Sequence, residues 1–298
     1  TYRKNDFFNH RNISFVGRPF PLKEAHEHFS RLREWGMTFI RLLITWEAIE
    51  HDGPGIYDNE YLDYIEEVVR VAGEYGLDLF VDPHQDVWSR FTGGDGAPGW
   101  TLEAVGLDMK HFCKNGAAVV HNQVGEKLPK MIWPTNAAKF ACSTMFTLFF
   151  GGNDFAPQVT YEGVSIQDYL QDHYIKAIVQ VVKRLKKYPH VIGYDTLNEP
   201  SAGYIGIHNL NQYPILARIG ECPTPFQGML LADGNEQEVE IWKLGLLGMQ
   251  RKGTRLMNTE RERAWMEGKT CIWRQHGVWD YDKSGKGVLI KPDSFGMK

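Results

Sequence analysis

Cysteine is scarce in this chain. Cys113, Cys142, Cys222 and Cys271 lie far apart in 298 residues, and none forms a Cys-x-x-Cys pair. That excludes a disulfide-dense scaffold and a zinc ribbon, and fits reduced thiols in an intracellular protein. Long hydrophobic runs are also missing. The longest, Phe140 to Phe150, is 11 residues, where a bilayer-spanning helix needs about 20. It reads as a buried helix, with a greasy wall beside a lipid-like substrate as the other reading. There is no basic surplus: 33 Lys and Arg stand against 37 Asp and Glu, for a net charge of -4. Without a basic stripe, nucleic acid is not an expected partner. The opening "TYRKNDFFNH" lacks the apolar core of a secretory signal. It also lacks an initiator methionine and reads as a processed end or the start of a fragment. The expected location is intracellular, cytoplasmic or vacuolar. No repeat, low-complexity tract or linker divides residues 1–298, so a single domain is expected.

What is present suits a folded α/β protein. Hydrophobic residues make up 43% and charged residues 23%, enough for a core and too apolar for disorder. "LKEAHEHFSRLREWG" carries Leu22, Ala25, Phe29, Leu32 and Trp35 at helical spacing, with Gly36 as a stop. "MTFIRLLIT" follows as a strand apolar on both faces. "DNEYLDYIEEVVRVAGEYG" repeats the plan, with Asp58 as N-cap and Gly76 as terminator. "LDLFVDPHQD" is the next strand. A third helix, "SIQDYLQDHYIKAIVQVVKRLKKYP", leads into "HVIGYDTLNEP". With "NISFVGRPFPL" counted as a first strand, the chain reads as four parallel βα units. No glycine-rich phosphate turn supports a doubly wound sheet. A (β/α)8 barrel places polar residues at the C-terminal ends of its strands, and this chain does so. Residues 88–160 and 201–290 read as insertions at that face, the second as decorated loop structure.

The chemistry-bearing residues sit at those strand ends. Glu199 closes "VIGYDTLNEP". With an apolar strand behind it, its carboxyl is expected to be partly desolvated, which raises a carboxyl pKa and suits a proton donor. Asn198 offers a donor and an acceptor for a sugar hydroxyl, and Pro200 turns the chain away. Asp82, His84 and Asp86 alternate along a strand and face one side. They read as a sugar-binding edge, a structural histidine or a metal cluster. Arg41, inside an apolar strand, needs an acidic partner or orients a catalytic carboxylate. Trp46, Trp88 and Trp100 read as core or loop anchors before stacking platforms, and Tyr194 and Asp195 as barrel packing.

Beyond these single residues, "FIRLLITWEAIE", "LDLFVDPHQDVWSRFTGGDGAPGW" and "VIGYDTLNEP" together resemble glycoside hydrolase family 5. "GRPFPLKEAHEHFSRLREWGMTFIRLL" and "TMFTLFFGGNDFAP" look like its endoglycoceramidase-related fungal branch, which includes glucosylceramidases and steryl-β-glucosidases. The resemblance also takes in "PFQGMLLADGNEQEVEIW" and "IWRQHGVWDYD". It implies a (β/α)8 barrel and a retaining mechanism with two glutamates. Glu199 matches the acid/base after the fourth strand, and Asn198 the residue that binds the sugar 2-hydroxyl. Arg41 matches the arginine near the nucleophile. His84 matches the histidine that lines the sugar subsite, and Asp86 an aspartate of the related branch that can hold sugar hydroxyls.

The family's nucleophile follows the seventh strand, whereas this chain reaches the fourth. Glu236, Glu238 and Glu240 alternate in a polar run, and Glu260, Glu262 and Glu267 fall in "TERERAWMEGK", which reads as a solvated helix. In the family the matching region is an insertion, so no nucleophile is assigned. The chain reads as the N-terminal part of a longer enzyme. The expected activity is β-glucosidase action on a glycolipid, a steryl glucoside or glucosylceramide. Phe146, Phe149 and Phe150 are a candidate wall for the lipid. No cofactor is expected, no obligate protein partner is inferred, and contact with a membrane surface follows from the substrate. Rival readings are a non-catalytic sugar-binding half-barrel and a metal-dependent hydrolase built on Asp82, His84 and Asp86.

Overall fold

Three of the expected strands form a parallel sheet: β1 (Phe39–Thr45), β2 (Asp78–His84) and β3 (Val191–Tyr194), in the order β1-β2-β3. The computed structural model describes residues 6–124, 128–215, 217–246 and 248–296. In register, Arg41 lies opposite Phe80, Leu43 opposite Asp82 and Thr45 opposite His84. β3 is short, and its pairing slips between Leu79 and Phe80. The chain beyond it still follows β2: the Asp195 N–H donates to the Val81 carbonyl at 2.8 Å, and the Asn198 N–H to the Pro83 carbonyl at 3.1 Å. Those two bonds fix where Asn198 and Glu199 emerge.

Three helices follow the expected periodicity, α1 (Ala25–Glu34), α2 (Asn59–Glu74) and α4 (Ile166–Leu185), and a further helix, α3 (Phe140–Phe155), forms from the apolar run. Asp58 caps α2 by accepting from the Tyr61 N–H at 2.9 Å. Gly76 ends that turn at φ 63°, a conformation that costs glycine little. α1 packs on α2, and α2 on α4. Leu42 and Ile44 of β1 are buried, while Phe39 and Leu43 on its other face are exposed. The helices therefore cover one face of the sheet, as in a barrel wall, and a doubly wound sheet would cover both. β1 and β3 each keep one edge unpaired among the described residues.

Four expectations change. "NISFVGRPFPL" is a run of turns and bends rather than a first strand. Pro19 and Pro21 donate no backbone hydrogen bond, and Gly17 sits at φ 87°, so pairing is interrupted. The region after Pro200 is more than decorated loop. It holds α5 (Pro225–Ala232), and a long antiparallel hairpin of β4 (Gln237–Gly245) and β5 (Gly248–Met257). "TERERAWMEGK" is not helical. Glu262 there is held by Lys114 at 2.8 Å and His111 at 2.6 Å, and Glu236 approaches Arg261. The run from Phe140 is indeed a helix, apolar around its whole circumference and buried. Phe146 and Phe149 pack against Trp88 inside the core, and only Phe150 is exposed. Two of the three expected lipid-wall residues are thus core residues.

Candidate active site

The site is a hydrogen-bonded frame across the C-terminal ends of β1, β2 and β3. Asp82 is its hub. The carboxylate has no solvent exposure, and its Oδ2 accepts from Arg41 Nη2 at 2.7 Å and from His84 Nδ1 at 2.8 Å. Arg41 also donates to Asn198 Oδ1 at 2.6 Å. The Asn198 amide in turn donates to the Gln85 carbonyl at 3.0 Å, and Gln85 Nε2 returns to the carbonyls of Asn198 and Glu199 at 2.6 and 3.0 Å. Each strand end is tied to its neighbour through side chains where backbone pairing stops.

The bond from His84 Nδ1 to Asp82 fixes the ring, so Nε2 faces Asp86 Oδ2 at 3.4 Å. The Asp86 backbone exchanges two 3.1 Å bonds with Asp95. Burial, chiefly, holds the carboxyls of both Asp86 and Asp95 above the ordinary carboxylate range. The charge of Glu199 adds to the effect at Asp86, and that of Asp86 at Asp95. This crowding follows from the loop "TGGDG". A Cβ on Gly94 would lie 1.9 Å from the Asp86 carbonyl oxygen, so only glycine lets the loop approach this closely. Val87 and Trp88 adopt φ of 46° and 81° beside it, and Glu199 adopts 36°. Backbone strain of this kind gathers at functional sites.

A model of the cellulase family, glycosyl hydrolase family 5, matches residues 3–215. The chain belongs to glycosyl hydrolase family 5. It is 48% identical over 295 residues to a glucosylceramidase of Rhizopus delemar, covering 97% of this chain and 43% of that relative. An ergosteryl-beta-glucosidase of Saccharomyces cerevisiae is 40% identical, with 95% and 43% covered. Among solved structures, Cryptococcus neoformans sterylglucosidase 1 superimposes with a TM-score of 0.92 at 36% identity, covering 98% of this chain and 46% of that one. The chain spans less than half the length of these relatives. Its fold is accordingly part of the (β/α)8 barrel of the family, seen from its open side.

All five residues expected from the sequence of this family 5 chain come together. Arg41 and Asn198 are in direct contact, His84 and Asp86 share Asp82's side of the frame, and Glu199 stands next to Asn198 with its charge felt at Asp86. One expectation about Glu199 fails. Its side chain is exposed rather than desolvated, because the sheet ends at β3 and nothing among the described residues covers that side. The Asp82, His84 and Asp86 triple does not converge on one centre either, since Asp82 turns toward Arg41 and His84 Nδ1. The ligand atoms that do converge belong to His84, Asp86 and Asp95, all within 4.8 Å of one another. Two carboxylates and an imidazole could hold a cation, and they could equally accept from sugar hydroxyls.

Gln85 and Asp95 were missed as site residues. Gln85 lies inside "DPHQD", and its signal in the sequence is an amide directly after an apolar strand. Asp95 lies in a glycine-rich loop, where sequence carries no register. Trp46, Trp88 and Trp100 are buried anchors. The first and third donate to the Glu50 side chain and backbone at 2.6 and 2.7 Å, and Trp88 donates to Thr101 at 3.1 Å. A cavity of about 510 Å³ along β1, beside Leu43, Thr45 and Glu47, reaches the site only through Asp95 and its neighbouring glycines.

Proposed function

We propose that this chain is part of a retaining β-glucosidase that releases glucose from a glycolipid, a steryl glucoside or glucosylceramide. The observation that carries the reading is Glu199 beside an Asn198 whose amide is clamped between Arg41 and Gln85. The names of the relatives, glucosylceramidase and ergosteryl-beta-glucosidase, supply the substrate class. Glu199 protonates the glycosidic oxygen and later activates water. Asn198 positions the sugar 2-hydroxyl, His84 and Asp86 hold further hydroxyls, and Arg41 sits beside the nucleophile's place. The attacking carboxylate must stand about 5 to 5.5 Å from the acid/base. Among the described residues, none of the carboxylates after Glu199 ends a strand of the parallel sheet. Because the relatives are more than twice as long, we assign the nucleophile to polypeptide beyond these residues. The same polypeptide would wall in Glu199 and supply the desolvation it lacks here.

Residues 1–298 form one barrel domain in this reading, with the segments near 88–160 and 201–290 inserted at the site face. The route needs no metal or organic cofactor. No helix among the described residues is long and apolar enough to cross a membrane. A glycolipid substrate supports contact with a membrane surface, and four free cysteines among the described residues support an intracellular location.

The test is Glu199→Gln in a protein of the relatives' full length, assayed on steryl glucoside and glucosylceramide. A loss of about 10²- to 10⁴-fold in kcat is expected for removal of a general acid/base. Turnover at the unmutated rate would show that Glu199 has another role. Retention of activity in a chelator separates this reading from the metal-dependent one built on His84, Asp86 and Asp95.

A further inference from the structure

The β4–β5 hairpin ends in apolar side chains that nothing among the described residues covers. Val239, near its base, is fully buried. Gly220 and Glu221 pair with Trp242 and Ile241, and beyond Trp242 the two strands continue to the turn without a third strand beside them. Gly245 pairs with Gly248 across the turn, and a Cβ on Gly248 would meet no atom within 4 Å. Leu244 and Met249 lie directly opposite each other across the strands. Leu244 is 62% exposed, Leu246 at the turn 104%, and Met249 36%. Single exposed leucines are common, but three large apolar side chains at the tip of one projecting hairpin are not.

Behind the tip the charge is all of one sign. Between Ile241 and its partner Gly253 the charged residues are Lys243, Arg251 and Lys252, with Glu240 and Glu238 following toward the base, in a chain whose net charge is -4. Arg251 and Arg255 are held by Glu240 and Glu221 at 2.9 and 2.8 Å. Lys243 and Lys252 form no ion pair among the described residues. Lys252 Nζ donates to Oε1 of Gln250, the residue paired with Lys243, at 3.0 Å, and desolvation, followed by the Lys243 charge, lowers the Lys252 pKa. Two unneutralised ammonium groups side by side just below an apolar tip match the layering of a bilayer interface, with phosphates outside and acyl chains within. Half-buried Trp242, with its Nε1–H donating to Glu240 at 2.9 Å, sits at the same level.

We propose that this hairpin tip docks on a phospholipid surface, with Leu244, Leu246 and Met249 entering the boundary between headgroups and acyl chains and Lys243 and Lys252 meeting lipid phosphates. The inference rests on the glycolipid reading for its purpose, since a glucoside embedded in a bilayer must be approached at that surface. It goes further than contact alone, because it names the residues that enter. Its physical content is independent of the substrate.

The test is cosedimentation of a protein of the relatives' full length with glycolipid-free vesicles of phosphatidylcholine, with and without phosphatidylserine. The wild type is expected to bind, and more tightly to the anionic vesicles. Replacing the tip by Leu244→Ser, Leu246→Ser and Met249→Ser together should weaken partitioning by about tenfold or more. Lys243→Gln and Lys252→Gln should each cost about fivefold on anionic vesicles and little on neutral ones. Circular dichroism of each variant checks that the fold is intact, which exposed positions make expected. Brominated lipids should quench the added emission of a Leu246→Trp variant. The proposal is overturned if the serine variant binds as well as the wild type, or if the wild type binds neither vesicle. A concentration-dependent dimer broken by the serine variant, without vesicle binding, would assign the tip to a protein interface and overturn it too. Because these vesicles carry no glucoside, failure here and failure of the glucosidase reading are separate results.

Discussion

Replacing Asp82 with alanine removes the one acceptor shared by Arg41 and His84, and the structure sets the size of the effect. The Asp82 carboxylate is fully buried, so no water replaces it directly. His84, 14% exposed, would keep an unpaired Nδ1–H, at a cost of about 1–3 kcal/mol. Arg41 is 48% exposed and still donates to Asn198, so water and the amide cover most of its loss, leaving about 0–1 kcal/mol. Removing a buried charge whose Oδ1 has no partner returns part of this. The net expectation is a loss of about 2 kcal/mol. Asp82→Asn keeps an acceptor of the same shape and sheds the buried charge, so it should stay within about 1 kcal/mol of the wild type. Urea unfolding followed by circular dichroism distinguishes the two. At a slope of about 2 kcal/mol per M, the alanine midpoint should fall by about 1 M and the asparagine midpoint by less than half of that. A double-mutant cycle with Arg41→Met should give a coupling of about 0.5–1 kcal/mol, because Arg41 is half exposed. If alanine leaves the midpoint unchanged, or asparagine is as damaging as alanine, Asp82 is not the anchor of the frame.

The other predictions concern the neighbouring carboxylates and α3. Burial raises the Asp86 and Asp95 pKa values, so their neutral forms favour folding. That contribution is complete below the ordinary aspartate pKa of about 4 and disappears as pH rises through the raised values. Asp95→Asn mimics the neutral form. It should raise Tm at pH 7, with the gain shrinking as pH falls toward 4; a gain constant with pH would contradict the assignment. Phe146→Ala should cost about 3–5 kcal/mol as a core cavity, while Phe150→Ala, exposed, should change stability by less than about 1 kcal/mol. Equal effects in urea unfolding would return Phe146 to the surface.

The candidate site was largely legible because its residues stand out against apolar strands. Arg41 is the one charge in "FIRLLIT", and "DPHQD" and "NEP" end runs that only a buried sheet explains. The gaps have particular causes. Residues 12–22 carry Ile13, Phe15, Val16 and Phe20, apolar enough for a strand, but two prolines and Gly17 at φ 87° interrupt pairing. The polar alternation of Glu236, Glu238 and Glu240 looked like loop because a hairpin half in solvent buries too little to show a core face. Asp95 was invisible because its approach to Asp86 depends on a glycine contact between two loops.

By itself the sequence determined the βα alternation, the family and the five residues that converge, since strand periodicity and strand ends are local properties of the chain. Tertiary structure alone decided that Asp82 is the hub, that Gln85 ties the strand ends, and that Phe146 and Phe149 belong to the core. It also showed Glu199 exposed at an open edge and an apolar hairpin tip left in solvent. Those facts depend on which surfaces meet across long sequence separations, and periodicity within a single segment carries no record of that.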